Sequence, residues 1–427
     1  MLTGRTIVCL SSIDWDFLWQ AHQQVMASLA AAGNRVLFVE STGVRAPTLR
    51  DLPRLWRRLK GGGRGHGRRR PPDAVSVYSP VLLPFPYAAW ARAVNLPLLE
   101  RAVRQRIAAW GDPAPIVWSF LPTPLSRALG ERLSPALSIF HCVDHLSSSS
   151  PAAARLRQSE VESFARADVV FVTSHALRDL ARVHNSEVHL VPSGVDLGRF
   201  EAVDPTAPLP EDLRGIARPV IGYLGGVHQW LDQSLLATLA ERRRDWSFVL
   251  VGPRQTDVSQ LERQPNVHLL GTRGPDTVPD YLRGFDVATV PYRLAEYTHH
   301  VYPVKLNEYL AMGLPVVSSP LAEVEHFNRR HDSVVAVAGT PEAFEAEMEK
   351  SFATHGREKN GLGHLRLLAF KGNKNPCQLG WGVQQFKVLL STHGQPSGRA
   401  RVLGLQHIHK SEPTRRTTSS YAGVGFN

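Results

Sequence analysis

Lys305 and Glu308 stand three residues apart in the segment PVKLNEYLAMGLPVVSS, residues 303–319. That spacing puts an ammonium and a carboxylate on one face of a helix. Pro303 suits a first turn, Gly313 sits where a C-cap glycine belongs, and a strand follows at once. An anionic group docking at such a helix start meets exposed N–H groups, the positive end of the dipole and Lys305. Glu308 could accept hydrogen bonds from ribose hydroxyls. The competing reading is a surface Lys–Glu pair on an ordinary amphipathic helix.

Gly225 and Gly226 follow an apolar run, IGYL, and precede a helical pattern. Paired glycines let a backbone approach a phosphate closely, although a plain strand-to-helix turn has the same pattern. Neither GxxxxGK[ST] nor GxGxxG occurs. In IFHCVDH, His141, Asp144 and His145 lie at a strand end. They read as acid/base or acceptor-positioning groups lining a cleft, as structural hydrogen-bonding groups, or as a metal cluster. Asp14-Trp15-Asp16 reads as a loop with an N-cap for a helix over 17–32 rather than as a metal motif. No metal site is expected.

The formal net charge is +11, from 49 basic and 38 acidic residues. Residues 351–427 hold eleven of the basic and two of the acidic ones, so the rest of the chain is nearly neutral. A nucleic-acid reading of the overall charge is therefore set aside. The stretch Arg45–Arg70 is locally basic, with ten Arg or Lys and one Asp. Leu49, Leu52, Trp56 and Leu59 share a helical face there. Such a pattern fits an anionic membrane surface, or a solvated loop.

These groups need elements to position them. Apolar, β-branched runs at 6–10, 35–39, 116–120, 138–142, 168–172 and 188–191 alternate with helical patterns. A polar, proline-bearing linker is expected at 201–217, and the series restarts. Strands are expected at 220–224, 247–251, 267–270, 286–290, 315–318 and 334–337. The predicted fold is α/β, with two doubly wound, Rossmann-like domains (1–200 and 218–350) facing across a cleft. Ligands in such folds bind at the carboxyl edges of the sheets. Residues 351–427 lack sustained periodicity and read as a basic disordered extension or a frameshifted end. Three scattered cysteines fit a reducing cytoplasm, and no apolar run is long enough for a membrane span.

Together these segments resemble the GT-B glycosyltransferases of the large family-four, or group 1, retaining type. The resemblance rests on PSGVDLGRF (residues 192–200), Ile221–Gly226 and Lys305–Ser319. The opening, DWDFLWQAHQQVMASLAAAGNRVLFVE, and 140–144 resemble a bacterial subgroup of polysaccharide or teichuronic-acid-type synthesis enzymes. The resemblance implies that Glu308 binds the donor ribose, with Lys305 and Arg254 facing the diphosphate. The family's other glutamate falls at His300, so the resemblance gives recognition of the donor sugar to His299, His300 or Tyr302. It implies a nucleoside-diphosphate-sugar donor, a glycan or lipid-linked acceptor, no cofactor and no metal. Sugar transfer with retention, in which the leaving phosphate takes the acceptor proton, needs no separate nucleophile–base pair. Gly225, Gly226, Lys305 and the helix start would stabilise the departing diphosphate. Asp144, His141 and His300 are the candidate catalytic groups. A nucleotide-sugar 2-epimerase of the same fold and a non-catalytic scaffold of a polysaccharide assembly complex are the rival readings.

Overall fold

The structure, a computed structural model, describes residues 2–16, 19–40, 71–83, 85, 87–195 and 197–358. The basic stretch Arg45–Arg70, Phe17 and Leu18, Asp196 and the tail from 359 onward lie outside the described residues.

Seven parallel strands build the first sheet in the order β3-β2-β1-β4-β5-β6-β7. They are β1 Thr6–Leu10, β2 Arg35–Val39, β3 Val75–Tyr78, β4 Ile116–Ser119, β5 Leu137–Cys142, β6 Val169–Val172 and β7 Val188–Leu190. Six parallel strands build the second in the order β10-β9-β8-β11-β12-β13. They are β8 Val220–Leu224, β9 Ser247–Val251, β10 Val267–Gly271, β11 Val287–Val290, β12 Val316–Ser318 and β13 Ala336–Val337.

Burial on both faces explains the apolar composition of the strands. Every residue of TIVCL, VVFV, VIGYL and SFVLV is buried. Alternate residues of β1 serve opposite faces. Ile7 and Cys9 pack with Met26 and Leu29 of the helix Ala21–Ala31. Val8 and Leu10 pack with Leu99 and Val103 of the helix Ala89–Ile107.

Four local features differ from expectation. The strand β3 was not foreseen, because VSVY is short and polar at its second position. The first helix begins at Ala21 with Gln20 as N-cap, rather than at residue 17 with its N-cap in Asp14–Asp16. The reason is Gln23, whose side-chain carbonyl accepts from Gln20 N and whose amide donates to the Asp14 and Trp15 carbonyls. The polar stretch after residue 200 is fastened to the second core. Leu213 is buried there, Asp212 pairs with Arg273, and Arg283 donates to the carbonyls of Pro205 and Ala207. The helix Pro341–Glu358 runs past residue 350. No helix among the described residues is long and apolar enough to cross a membrane.

Candidate active site

In each sheet the strand order reverses beside the first strand, between β1 and β4 and between β8 and β11. Chains leaving the carboxyl ends on either side of such a point diverge and leave a crevice. Asp144 and the pocket beside it lie at the first crevice, Lys305 lies at the second, and contacts between the domains bring the two edges together.

On the second sheet, Gly225 leaves β8 with φ +136°, a conformation glycine adopts without strain. Its backbone lies against Gly252, where an added Cβ would sit 2.0 Å from the Gly225 carbonyl oxygen. The helix Lys305–Ala311 lies between β11 and β12, starting two residues after Pro303, with Val304 as N-cap. Lys305 Nζ lies 5.1 Å from the Tyr223 ring centre and 4.7 Å from that of Tyr292, and it donates to the Tyr292 hydroxyl. A Cβ on Gly225 would come within 3.2 Å of the Lys305 stem. The ammonium is thus held over the glycine turn by two aromatic faces.

Glu308 is half-buried one turn further on. Burial pushes its carboxyl above the usual range, while Lys305 and Arg199 pull it back. Three expected ligand groups are already engaged. The Gly225 N–H donates to the Val251 carbonyl at 2.8 Å, which removes it from the set of phosphate donors. Arg254 lies beside the turn, but its guanidinium pairs with Glu262. The hydroxyl of half-buried Tyr302 donates to Asn307 Oδ1 at 2.7 Å, and burial raises its pKa. Asn307 in turn donates to the Ser193 carbonyl of the first domain at 2.6 Å. Tyr302 therefore supports the seam between the domains rather than presenting its hydroxyl to a donor.

On the first sheet, Asp144 is half-buried just beyond β5. Burial raises its pKa to about 6, against the hydrogen bond it accepts from Tyr297 of the second domain. Tyr297 stacks on Trp230 at 4.6 Å. A small pocket beside Asp144 is lined by Ser12, His22, Phe120, Pro122, Phe140, Cys142, Val143 and Leu146. His22 Nε2 lies 3.0 Å from Ser12 Oγ, and burial lowers the His22 pKa to about 3.

The three histidines separate. His141 is buried among Trp118, Phe120 and Phe171 and does not line the pocket. Burial, then His22, lowers its pKa to about 3, so it stays neutral. The alternation of β5 turns it inward, away from the cleft expected for it. His145 approaches His300 of the other domain at 4.6 Å between ring centres. Burial, with His300 next, lowers the His145 pKa to about 4. Nδ1 of His300 faces the Glu296 carbonyl at 2.8 Å, and burial lowers its pKa too.

Further contacts join the carboxyl edges. Ser174 caps the helix His175–Arg182 and donates to the His300 carbonyl at 2.7 Å. Glu323 accepts from His175 N at 2.7 Å and faces its Nδ1 at 3.0 Å. His175, Glu323 and His326 form the one group of three close metal-ligand types among the described residues. Its surroundings suit a hydrogen-bonded seam better than a cation. The two imidazoles stack face to face at 4.0 Å, Arg329 bonds to His326 Nδ1, and Arg178 lies near. Tyr297, Trp230, His22, Arg199, Tyr292 and Glu323 carry no local motif, so spacing alone did not point to them.

Residues 218–353 match the family model described as glycosyl transferases group 1. They form a group 1 glycosyltransferase domain. The chain is 32% identical over 211 residues to a Bacillus subtilis (strain 168) protein named as the teichuronic acid biosynthesis glycosyltransferase TuaH, covering 48% of this chain and 53% of that protein. It is 31% identical over 151 residues to the glycosyltransferase EpsF of the same organism, covering 33% and 38%. The chain thus spans about half the length of TuaH and less of EpsF. Sucrose-phosphate synthase from Thermosynechococcus elongatus superposes with a TM-score of 0.61 at 16% identity, over 91% of this chain and 99% of that one. Anabaena HepE, solved with UDP and glucose, gives 0.59 at 13% identity, over 92% and 100%. The two-sheet architecture is the GT-B fold.

Proposed function

We propose that this protein is a retaining glycosyltransferase that moves a sugar from a nucleoside-diphosphate sugar to a hydroxyl acceptor. The acceptor is a glycan or a lipid-linked molecule in the synthesis of a cell-surface polysaccharide or glycolipid. The observation that carries the reading is the Lys305 ammonium, fixed over the Gly225 turn at the second sheet's crevice. A preorganised cation there favours the charge that develops on a departing diphosphate. In this scheme Glu308, one turn along the same helix, accepts hydrogen bonds from ribose hydroxyls. The name of TuaH supports the polysaccharide context, and the UDP and glucose in HepE support the donor class.

Protein groups supply the charge stabilisation in this scheme, so the proposal includes no metal or cofactor. Its finer parts are a cytoplasmic location and contact with an anionic membrane through Arg45–Arg70. The first test titrates the intact chain with UDP, GDP and dTDP by thermal shift. One nucleotide is expected to stabilise it, and Lys305→Ala and Glu308→Ala to abolish that shift while remaining folded. A folded wild-type chain that responds to none overturns the donor site. Donor turnover that depends on an acceptor separates the transferase from the 2-epimerase, and absence of turnover points to the scaffold.

A further inference from the structure

Nine large apolar side chains are exposed among the described residues, and six of them fall between residues 81 and 98. Trp90, Val94 and Leu98 recur every fourth residue on the outer face of the helix Ala89–Ile107, with exposures of 57%, 46% and 59%. Its opposite face, with Leu96, Leu99 and Val103, is buried with Val8 and Leu10 of β1. Val81, Leu83 and Phe85 belong to the loop leaving β3, and the Phe85 ring lies 5.2 Å from that of Trp90.

This loop is held in place. Asn95 is 3% exposed and clamps Leu83 from both sides, accepting from Leu83 N at 2.9 Å and donating to its carbonyl at 3.0 Å. A buried amide spent on fixing a loop keeps the apolar side chains outward instead of letting them collapse. Such a concentration on one face marks an interaction site.

The charge around it selects the partner. Residues 79–99 contain no Asp or Glu. Arg101 is exposed one turn beyond Leu98, and Arg92 is half-buried on the same helix. Glu100, the nearest acid, is bound by Arg104 and Arg132. β2 and β3 end side by side, with Glu40 N donating to the Tyr78 carbonyl, so the chain leaves for the basic stretch 45–70 from the corner where the apolar loop begins. Apolar and aromatic tips with arginines alongside match the acyl–headgroup boundary of an anionic bilayer.

We propose that the 81–98 face docks the first domain on an anionic lipid bilayer. The inference deepens the membrane part of the reading above and is independent of whether sugar transfer occurs. Its test is co-sedimentation of the full chain with phosphatidylcholine vesicles, with and without about 30 mol% phosphatidylglycerol. The double variant Trp90→Ser/Leu98→Ser is expected to keep the wild-type melting temperature and lose affinity for the anionic vesicles at least about tenfold. Val183→Ser, at an exposed site away from this face, is expected to bind as wild type does. Double-variant binding equal to wild type overturns the proposal. If Arg54→Gln/Arg57→Gln/Arg58→Gln alone then loses binding, the membrane reading stands and this face does not. A wild-type chain that ignores both vesicles overturns both. A wild-type dimer that the double variant converts to monomer, without vesicle binding, assigns the face to a second copy.

Discussion

The Tyr297 hydroxyl donates to the Asp144 carboxylate, and the two residues come from opposite sheets. The bond joins the two domains across the facing carboxyl edges of their sheets. Asp144 is otherwise poorly compensated, since burial dominates its environment and lifts its pKa from 3.8 to about 6.

That pKa sets a sign. A carboxyl whose folded pKa lies above its unfolded one binds its proton more tightly when folded, so stability falls as pH rises from 4 to 6. Asp144→Asn removes the buried charge and keeps an acceptor for Tyr297. It is expected to be more stable than wild type above pH 6, by at most about 3 kcal/mol. The two curves should converge below about pH 4, as thermal melts across the range will read. Tyr297→Phe removes the group that favours the carboxylate and should move the midpoint upward. Parallel curves would falsify the buried-carboxyl reading.

Ser174 and Glu323 make the seam a second test. Glu323→Ala leaves the buried His175 N–H and ring nitrogen without their acceptor, at a cost of about 1–3 kcal/mol. Glu323→Gln keeps one acceptor oxygen and should cost less. Ser174→Ala loses both the Leu177 cap and the His300 bond, worth about 1 kcal/mol. Hydrogen exchange should accelerate on both sides of the seam, at the starts of the helices His175–Arg182 and Ala322–Arg330. Acceleration on one side only means that the contact does not couple the domains.

What could be read from the sequence divides along the same lines. β1, β2, β8 and β9 lie where their apolar runs put them, because a strand buried on both faces must be apolar throughout. Lys305 and Glu308 were legible because one helix and one glycine turn position them, and both are local. Tyr297 and Glu323 were not, because their partners are Asp144 and His175, more than a hundred residues away and brought near only when two sheets face each other. His141 shows the opposite error. Its spacing from Asp144 suggested a shared site, but the pleat of β5 sends it among aromatic rings.

The glycine turn under Lys305 yields the last prediction. At Gly252, φ is +155° and an added Cβ would lie 2.0 Å from the Gly225 carbonyl oxygen. Both partners are backbone, so no side-chain rotation relieves the clash. Gly252→Ala should cost more than about 2 kcal/mol and displace the Gly225 turn. At Gly226 an added Cβ meets the amide of Gln255 at 2.9 Å, the far end of a flexible side chain. Gly226→Ala should therefore cost less than about 1 kcal/mol and retain nucleotide binding. Thermal melts with and without nucleotide, run where both variants are folded, compare them. The nucleotide shift should vanish in Gly252→Ala and persist in Gly226→Ala. If Gly252→Ala keeps the shift, the diphosphate does not depend on the backbone contact that holds the turn under Lys305.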